Sequence, residues 1–392
     1  MMSFDVETAF LNGIALACEL YCWPPNDVKN INPKRLWRLK KGVFGLTEAP
    51  RLWWLRIRGD LLACGWTEVK AAAATFILKD KRGKLCGVLV LHVDDGLLCG
   101  KGPCYEDALK ALQKRAPLKI FKKQALRFTG RTVTQNQKTH EIELTQKGYF
   151  DDVQAIPVDK KRKAHPEALL TAHETKQLRS LIGKLAWPAR ETMPQIAFDV
   201  SEAQQKMAEP VVARLLEINA LLRKAKKIES SMCSIKVPKI DLNKAVMVAF
   251  SDASFGNMPR HGSQAGFMIL VAEAKCVKES AKAAVVSWAS HRIKRVVKST
   301  LAAEAAALSE AQDQLEYSRV LFMQMLGKVD GRNWQEALKM PGYLVMDAKS
   351  LYDSLMKPGS APKEKRVALD LAAIQEALAR ESEVDTDQTH AC

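Results

Sequence analysis

The run Leu91-His92-Val93-Asp94-Asp95-Gly96 constrains the fold more than any other stretch, because it sets two adjacent carboxylates between two apolar segments, residues 85–93 and 96–100. Neighbouring side chains on a strand point to opposite faces, so an Asp-Asp pair converges on one ligand only if it sits in a turn. Val88, Val90 and Val93, followed by Gly96, predict strand, turn, strand. Two acids at the tip of an apolar hairpin call for a cation to neutralise them. A solvated Asp-Asp-Gly turn, common in any hairpin, is the other reading.

A second acidic strand end lies upstream, Ser3-Phe4-Asp5-Val6-Glu7-Thr8-Ala9-Phe10-Leu11-Asn12-Gly13, whose Asp5 would meet Asp94 and Asp95 across neighbouring strands. Three carboxylates would then share one site. Hard Mg²⁺ ions prefer oxygen ligands, and a pair of them about 4 Å apart clamps the attacking and leaving oxygens of phosphoryl transfer. That is the chemistry of a polymerase palm.

Here the chain resembles the reverse transcriptase of copia-type LTR retrotransposons. Residues Asp5 to Gly13 are similar to that family's first palm motif, and Val93-Asp94-Asp95 to its Tyr-Val-Asp-Asp hairpin, with His92 in place of Tyr. Between them, Lys41-Gly42-Val43-Phe44-Gly45-Leu46-Thr47-Glu48-Ala49-Pro50-Arg51-Leu52-Trp53-Trp54 resembles the Leu-Tyr-Gly-Leu-Lys-Gln-Ala-Pro-Arg segment. Ile142 to Tyr149, Arg179 to Trp187 and Met193 to Ser201 resemble the stretch that links polymerase to RNase H in the same polyproteins. The resemblance runs from the first residues to about Glu376.

Composition agrees without deciding. A chain of 392 residues holds two or three domains with real cores. Its net charge of +16 suits a polyanionic partner, and equally a ribosomal or membrane-surface protein. The nine cysteines are scattered, with only Cys18 and Cys22 close together, so free thiols in a reducing compartment are expected. With no signal-like N-terminus and no membrane-length apolar run, the expected location is intracellular, cytoplasmic or nuclear, not secreted. Lys160-Lys161-Arg162-Lys163 reads as a nuclear address or a solvated linker.

Punctuation and period divide the rest. A helix is predicted from Pro50 to about Cys64, a loop over 156–166, and helices over about 174–189 and 210–228, the second ending in Arg223, Lys224, Lys226 and Lys227. From about Val237 a separate α/β pattern begins: a strand through Val246, Val248 and Phe250 ending at Ser251-Asp252-Ala253-Ser254, strands over 266–271 and 284–290, a helix over 299–326 capped by Ser299 or Thr300, and a strand over 343–346 ending in Asp347.

Asp252 and Asp347 would end neighbouring strands, with Glu304 in the first turn of the covering helix; carboxylates so placed bind divalent ions and activate a water against a phosphodiester. Singly, a helix-dipole acid and two turn residues explain them as well. Together, Ser251-Asp252-Ala253, Ser299-Thr300-Leu301-Ala302-Ala303-Glu304, Met346-Asp347-Ala348-Lys349-Ser350 and the preceding Trp288-Ala289-Ser290 resemble the copia family's RNase H.

The expected fold is therefore an α+β polymerase palm with a helical connection, followed by an α/β RNase H-like domain: residues 1–155, 156–236 and 237–392. The resemblance implies Mg²⁺ or Mn²⁺ held by Asp5, Asp94 and Asp95 in the palm and by Asp252, Glu304 and Asp347 in the second site. It implies Phe10 against the sugar of an incoming deoxynucleotide, and Gly45, Pro50 and Arg51 against the template; Trp53 and Trp54 read as helix packing. The implied partners are an RNA template, an RNA–DNA hybrid and deoxynucleotides, with no membrane. Measured against the family, the chain begins two residues before the first palm motif, where fingers would precede, and the last RNase H carboxylate has no clear counterpart beyond Asp385 or Asp387. A degenerate fragment is expected on that ground, and a catalytically silent nucleic-acid-binding relic is the alternative.

Overall fold

Residues 85–100 form the hairpin that their alternation predicts. In the computed structural model, which describes residues 1–25, 28, 32, 35–121, 125–232, 234–357, 362 and 364–389, the chain falls into two compact units: 1–130 with 321–334, and 131–320 with 335–392.

The first unit contains β1 (Met2–Val6), β2 (Ala15–Cys22), β3 (Trp37–Lys41), α1 (Ala49–Ala63), β4 (Thr67–Glu68), β5 (Thr75–Lys79), β6 (Leu85–His92), β7 (Asp95–Gly100), α2 (Pro103–Arg115), β8 (Leu118–Phe121) and β9 (Ala125–Phe128). Its main sheet has the order β4-β5-β6-β7-β1-β8 and is antiparallel throughout. Gly87, Leu89 and Leu91 of β6 and Gly96 and Leu98 of β7 make one buried face, as a period of two requires. Trp53, Ile57 and Leu61 of α1 and Tyr105, Leu109 and Leu112 of α2 join that face in one core. Gly96 faces Phe4 across the β1–β7 pair, and the Phe4 ring occupies the space a Cβ would need. The glycine after the two aspartates is therefore what admits β1, and with it Asp5, next to the hairpin.

The second unit opens with β10 (Arg131–Gln135), β11 (Ile142–Thr145), α3 (Lys160–Lys163), α4 (Ala172–Glu191), α5 (Ala197–Lys206), α6 (Val212–Met232) and β12 (Ser234–Val237), with β11 antiparallel between β10 and β12. Thr171 and Glu174 form a reciprocal capping box at the start of α4. Glu174 also takes Arg162 at 2.7 Å. The basic cluster, expected to lie in a loop, contains the single turn α3, because Asp159 caps it by accepting from the Arg162 N–H at 2.8 Å. Further along, the Ile156 N–H donates to Asn219 Oδ1 and its carbonyl accepts from Asn219 Nδ2, both at 2.8 Å and both buried.

The remainder comprises β13 (Ala245–Met258), β14 (Gly262–Glu273), β15 (Ala283–Arg292), α7 (Thr300–Met325), β16 (Gly342–Val345), α8 (Lys349–Met356) and α9 (Lys365–Thr389). The sheet order is β15-β14-β13-β16, with β16 parallel to β13 and the other pairs antiparallel. Ala303 and Ala307 of α7 pack on Ala253 and Ala265, while Ala302, Ala305 and Leu308 meet Leu351, Leu355, Val367, Leu371 and Ile374. Ser299 caps α7, its Oγ accepting from the Ala302 N–H at 3.1 Å. Strand β13 does not stop near Asp252 as expected but pairs on to Met258, through polar residues and an irregular register that hide the alternation. The side chains of Asp385 and Asp387 lie outside the described residues.

Substituting Asn219→Leu leaves a buried N–H and C=O of Ile156 without partners, and should lower stability by roughly 2–4 kcal/mol. Urea unfolding of the variant beside the parent measures it; no change would mean that the Asn219 clamp contributes nothing.

Candidate functional site

Asp94 and Val93 form the two-residue turn between β6 and β7, closed by the His92–Asp95 pair, and Asp95 begins β7. Asp5 lies on β1, whose Val6 N–H donates to Asp94 O at 3.1 Å. All three carboxylates are half-buried. Burial first, then the charges of Asp94 and Asp5, raise the Asp95 carboxyl above its ordinary range, and His92 opposes the rise. The three acids thus share one field.

Beside them, Phe10 lies in a turn of 3-10 helix (Ala9–Asn12) with its ring 4.9 Å from that of Phe44. Gly45 turns the chain with φ +95°, and Pro50 and Arg51 sit exposed in the first turn of α1. The Phe10 turn and α1 adjoin, the Ile14 N–H donating to Leu52 O at 3.3 Å. Trp53, read from sequence only as packing, is buried and also donates its indole N–H to Val93 O at 2.7 Å. The available signal was chemical: a buried indole N–H needs an acceptor.

The second cluster lies in the other unit. Phe250 of β13 pairs in parallel with Val345 of β16, so Asp252 and Asp347, each two residues further on, come out side by side. Glu304 reaches them from the second turn of α7, not the first, between alanines that bring the helix close to the sheet. Ligand oxygens of Asp252, Glu304 and Asp347 all lie within 4.8 Å of one another; among the described residues no other set of three or more His, Cys, Asp or Glu meets that spacing, Asp5, Asp94 and Asp95 included. Glu304 is 6 % exposed, and its Oε2 is buried without a hydrogen-bond partner. Burial, reinforced by Asp252 and then Asp347, pushes its carboxyl up to about 7 against a backbone hydrogen bond from Ala253. An orphaned oxygen beside two exposed carboxylates is a donor set that fits a hard divalent cation. The two aspartates open on a cleft of about 500 Å³ walled by Phe198, Phe250, Phe267 and Trp288.

Sequence reasoning missed a polar network beside this cleft. Gln264 Nε2 donates to Ser201 Oγ at 2.9 Å and to Ser290 Oγ at 3.0 Å, while Gln205 Nε2 donates to Gln264 Oε1 at 2.8 Å. Trp288 Nε1 donates to Ala189 O at 2.8 Å. Isolated Gln and Ser residues carry no sequence signal for such pairing.

Glu304 sets a testable pH dependence. Between about 4.5 and about 7 the folded chain keeps a proton that the unfolded chain has released, so the stability of the metal-free protein falls as pH rises through that window and levels off above it. Thermal melting with a chelator present should show this slope, and Glu304→Gln should remove its share. A parent and variant with the same pH dependence would exclude the raised carboxyl.

Residues 1–158 match the family model described as reverse transcriptase (RNA-dependent DNA polymerase). The chain is 24% identical over 326 residues to the retrovirus-related Pol polyprotein from transposon RE1 of Arabidopsis thaliana, and 26% identical over 329 residues to that from transposon RE2. Each alignment covers 80% of this chain and 21% of the relative, so the chain spans about a fifth of the length of those polyproteins. A transposon Ty5-1 protein of Saccharomyces cerevisiae is 24% identical over 75% of this chain and 94% of its own length. Among solved structures, the foamy viral protease-reverse transcriptase in complex with RNA/DNA hybrid aligns with 97% of this chain and 63% of its own at 11% identity, with a TM-score of 0.27 that defines no shared fold. No helix among the described residues is long and apolar enough to cross a membrane. By its motifs and these matches, the chain resembles the copia-type retrotransposon Pol polyproteins, and its residues 1–158 match the reverse transcriptase family.

Proposed function

We propose that the chain carries out divalent-metal-dependent phosphoryl transfer on nucleic acid, as a retrotransposon-derived RNA-directed DNA polymerase with an associated RNase H, and that the hydrolytic site is the better formed of the two. The reading keeps a palm in 1–155, a helical connection in 156–236 and an RNase H-like domain in 237–392, in an intracellular protein. The observation that carries it is the convergence of Asp252, Glu304 and Asp347 within 4.8 Å, with an unpartnered buried oxygen on Glu304.

Asp252, Glu304 and Asp347 would hold Mg²⁺ or Mn²⁺. A bound ion of this kind stabilises negative charge on a phosphodiester and makes a bound water more acidic. Glu304, half-protonated near neutrality, gives up its proton when it becomes a ligand, which ties binding to pH. Asp252 and Asp347 face the solvent side, where a nucleic-acid backbone can reach them. The apolar walls of the cleft, Phe250 and Trp288 among them, offer flat surface to sugars or bases and reduce competing water. The substrate that fits the family is the RNA strand of an RNA–DNA hybrid, and the net charge of +16 favours any such polyanion.

In the palm, Asp5, Asp94 and Asp95 would take the corresponding role in nucleotide addition, with Phe10 beside the deoxynucleotide sugar and Gly45, Pro50 and Arg51 on the template side. The raised carboxyl of Asp95 supports an acidic site that awaits positive charge.

The test is cleavage of a labelled RNA–DNA hybrid by the purified chain with Mg²⁺, beside Asp252→Asn. The expected outcome is cleavage that falls by more than about 100-fold in the variant, since a lost ligand should cost at least as much as a lost supporting contact. Cleavage equal in both proteins would sink the assignment. Salt-dependent hybrid binding without cleavage would favour the second reading, a catalytically silent nucleic-acid-binding protein, which rests on the charge balance.

A further inference from the structure

The hairpin that bears Asp94 and Asp95 is held in a conformation its own residues disfavour. Val93 has φ 58°, while Asp94 is not among the residues of positive φ. A two-residue hairpin loop with positive φ at its first position alone follows the II′ pattern, where glycine belongs. A β-branched residue there is an outlier. Its side chain is 45% exposed, so burial of the valine does not hold the turn in place. Hydrogen bonds do. Both carbonyls of the turn are taken from outside the hairpin: Asp94 O by the Val6 N–H of β1 at 3.1 Å, and Val93 O by the Trp53 indole of α1 at 2.7 Å.

The Trp53 ring is itself immobilised, 2% exposed among Ile57, Leu61, Phe4 and Leu91 in the core of this unit. Its donor therefore reaches the turn from a fixed platform. The bond is short for an N–H to a carbonyl and spans forty residues of sequence. The geometry points to Trp53 as a positioning residue: its indole N–H locks the strained Val93–Asp94 peptide so that Asp94 and Asp95 are presented together beside Asp5. Trp53 also lies two residues after Arg51 on α1, so one helix bears both the template-side arginine and the pin on the acidic turn. This inference rests on the metal reading of the palm acids and concerns how they are held, not what they do.

The experiment is Mn²⁺ binding to the full chain, followed by electron paramagnetic resonance, in an Asp252→Asn background that weakens the second site. Asp95→Asn serves as the control for the palm site and should abolish the binding that remains. Trp53→Phe keeps the ring and removes the donor; it should weaken that binding by about 10-fold, the cost typical of losing a group that orients a metal ligand. Adding Val93→Gly, which adopts positive φ freely, should recover most of the loss, which mere loss of packing would not do. If Trp53→Phe alone does not fold, the comparison of Trp53→Phe/Val93→Gly with Val93→Gly decides: near-equal binding supports the inference, and a loss of about 10-fold persisting in the glycine background overturns it. Full binding in Trp53→Phe, with binding lost in Asp95→Asn, also overturns it. Binding unaffected by Asp95→Asn would instead remove the metal reading of the hairpin, whatever Trp53 does.

Discussion

Holding carboxylates close together in a folded chain is the constraint around which both halves of this protein are arranged. Like charges brought within a few ångströms and partly withdrawn from water raise one another's proton affinity. The fold must then supply that free energy from packing elsewhere. In the second unit the supply is visible in α7. Ala303 and Ala307 are almost fully buried against Ala253 and Ala265 and let the helix settle on β13 and β14, and the same descent carries Glu304 into the field of Asp252 and Asp347. A larger residue at those alanines would lift the helix and relax the electrostatic conflict together with the site. The first unit solves the problem with a turn and a glycine, Gly96, that draws β1 in.

What could be read from sequence followed from how local each feature is. The hairpin around Asp94 was legible because its flanks alternate cleanly, although its turn falls on Val93 and Asp94, one residue earlier than the Asp-Asp pair suggested, and the long helix because Leu301, Leu308, Leu315 and Phe322 recur along one face. The parallel pairing of β13 with β16, which sets Asp252 beside Asp347, depends on register across almost a hundred residues, so motif likeness suggested it but local pattern did not. The extension of β13 past Asp252 was hidden by Ser254, Gly256 and Asn257, residues that read as a turn yet bond among themselves and to Ser263 within an irregular pair. The basic cluster was misjudged for the opposite reason: four cations suggest solvent, but Asp159 and Glu174 organise one of them into structure. Trp53 was read as packing, which is half of what it does.

The helices of residues 172–232 do more than connect. Pro194, Ala197 and Phe198 wall the cleft that Asp252 and Asp347 open on, and Trp288 of β15 is tied to Ala189 at the end of α4. Ser201 and Gln205 of α5 hold Gln264 of β14. A displacement of α5 would therefore alter both the width of the cleft and the hydrogen bonding of the sheet behind it.

The place of β1 in its sheet has a kinetic meaning. Met2 pairs with Leu98 and Phe4 with Ile120, so both neighbours of this strand lie about a hundred residues away along the chain, whereas β5, β6 and β7 pair with one another through short loops. Closing so long a loop costs more entropy than forming those hairpins, so the local pairs form readily and β1 inserts late. Asp5 arrives with it. A partly folded chain thus has the acidic turn without its third carboxylate, and the full charge cluster assembles only when the sheet is complete, which spares earlier intermediates the repulsion that the finished fold withstands.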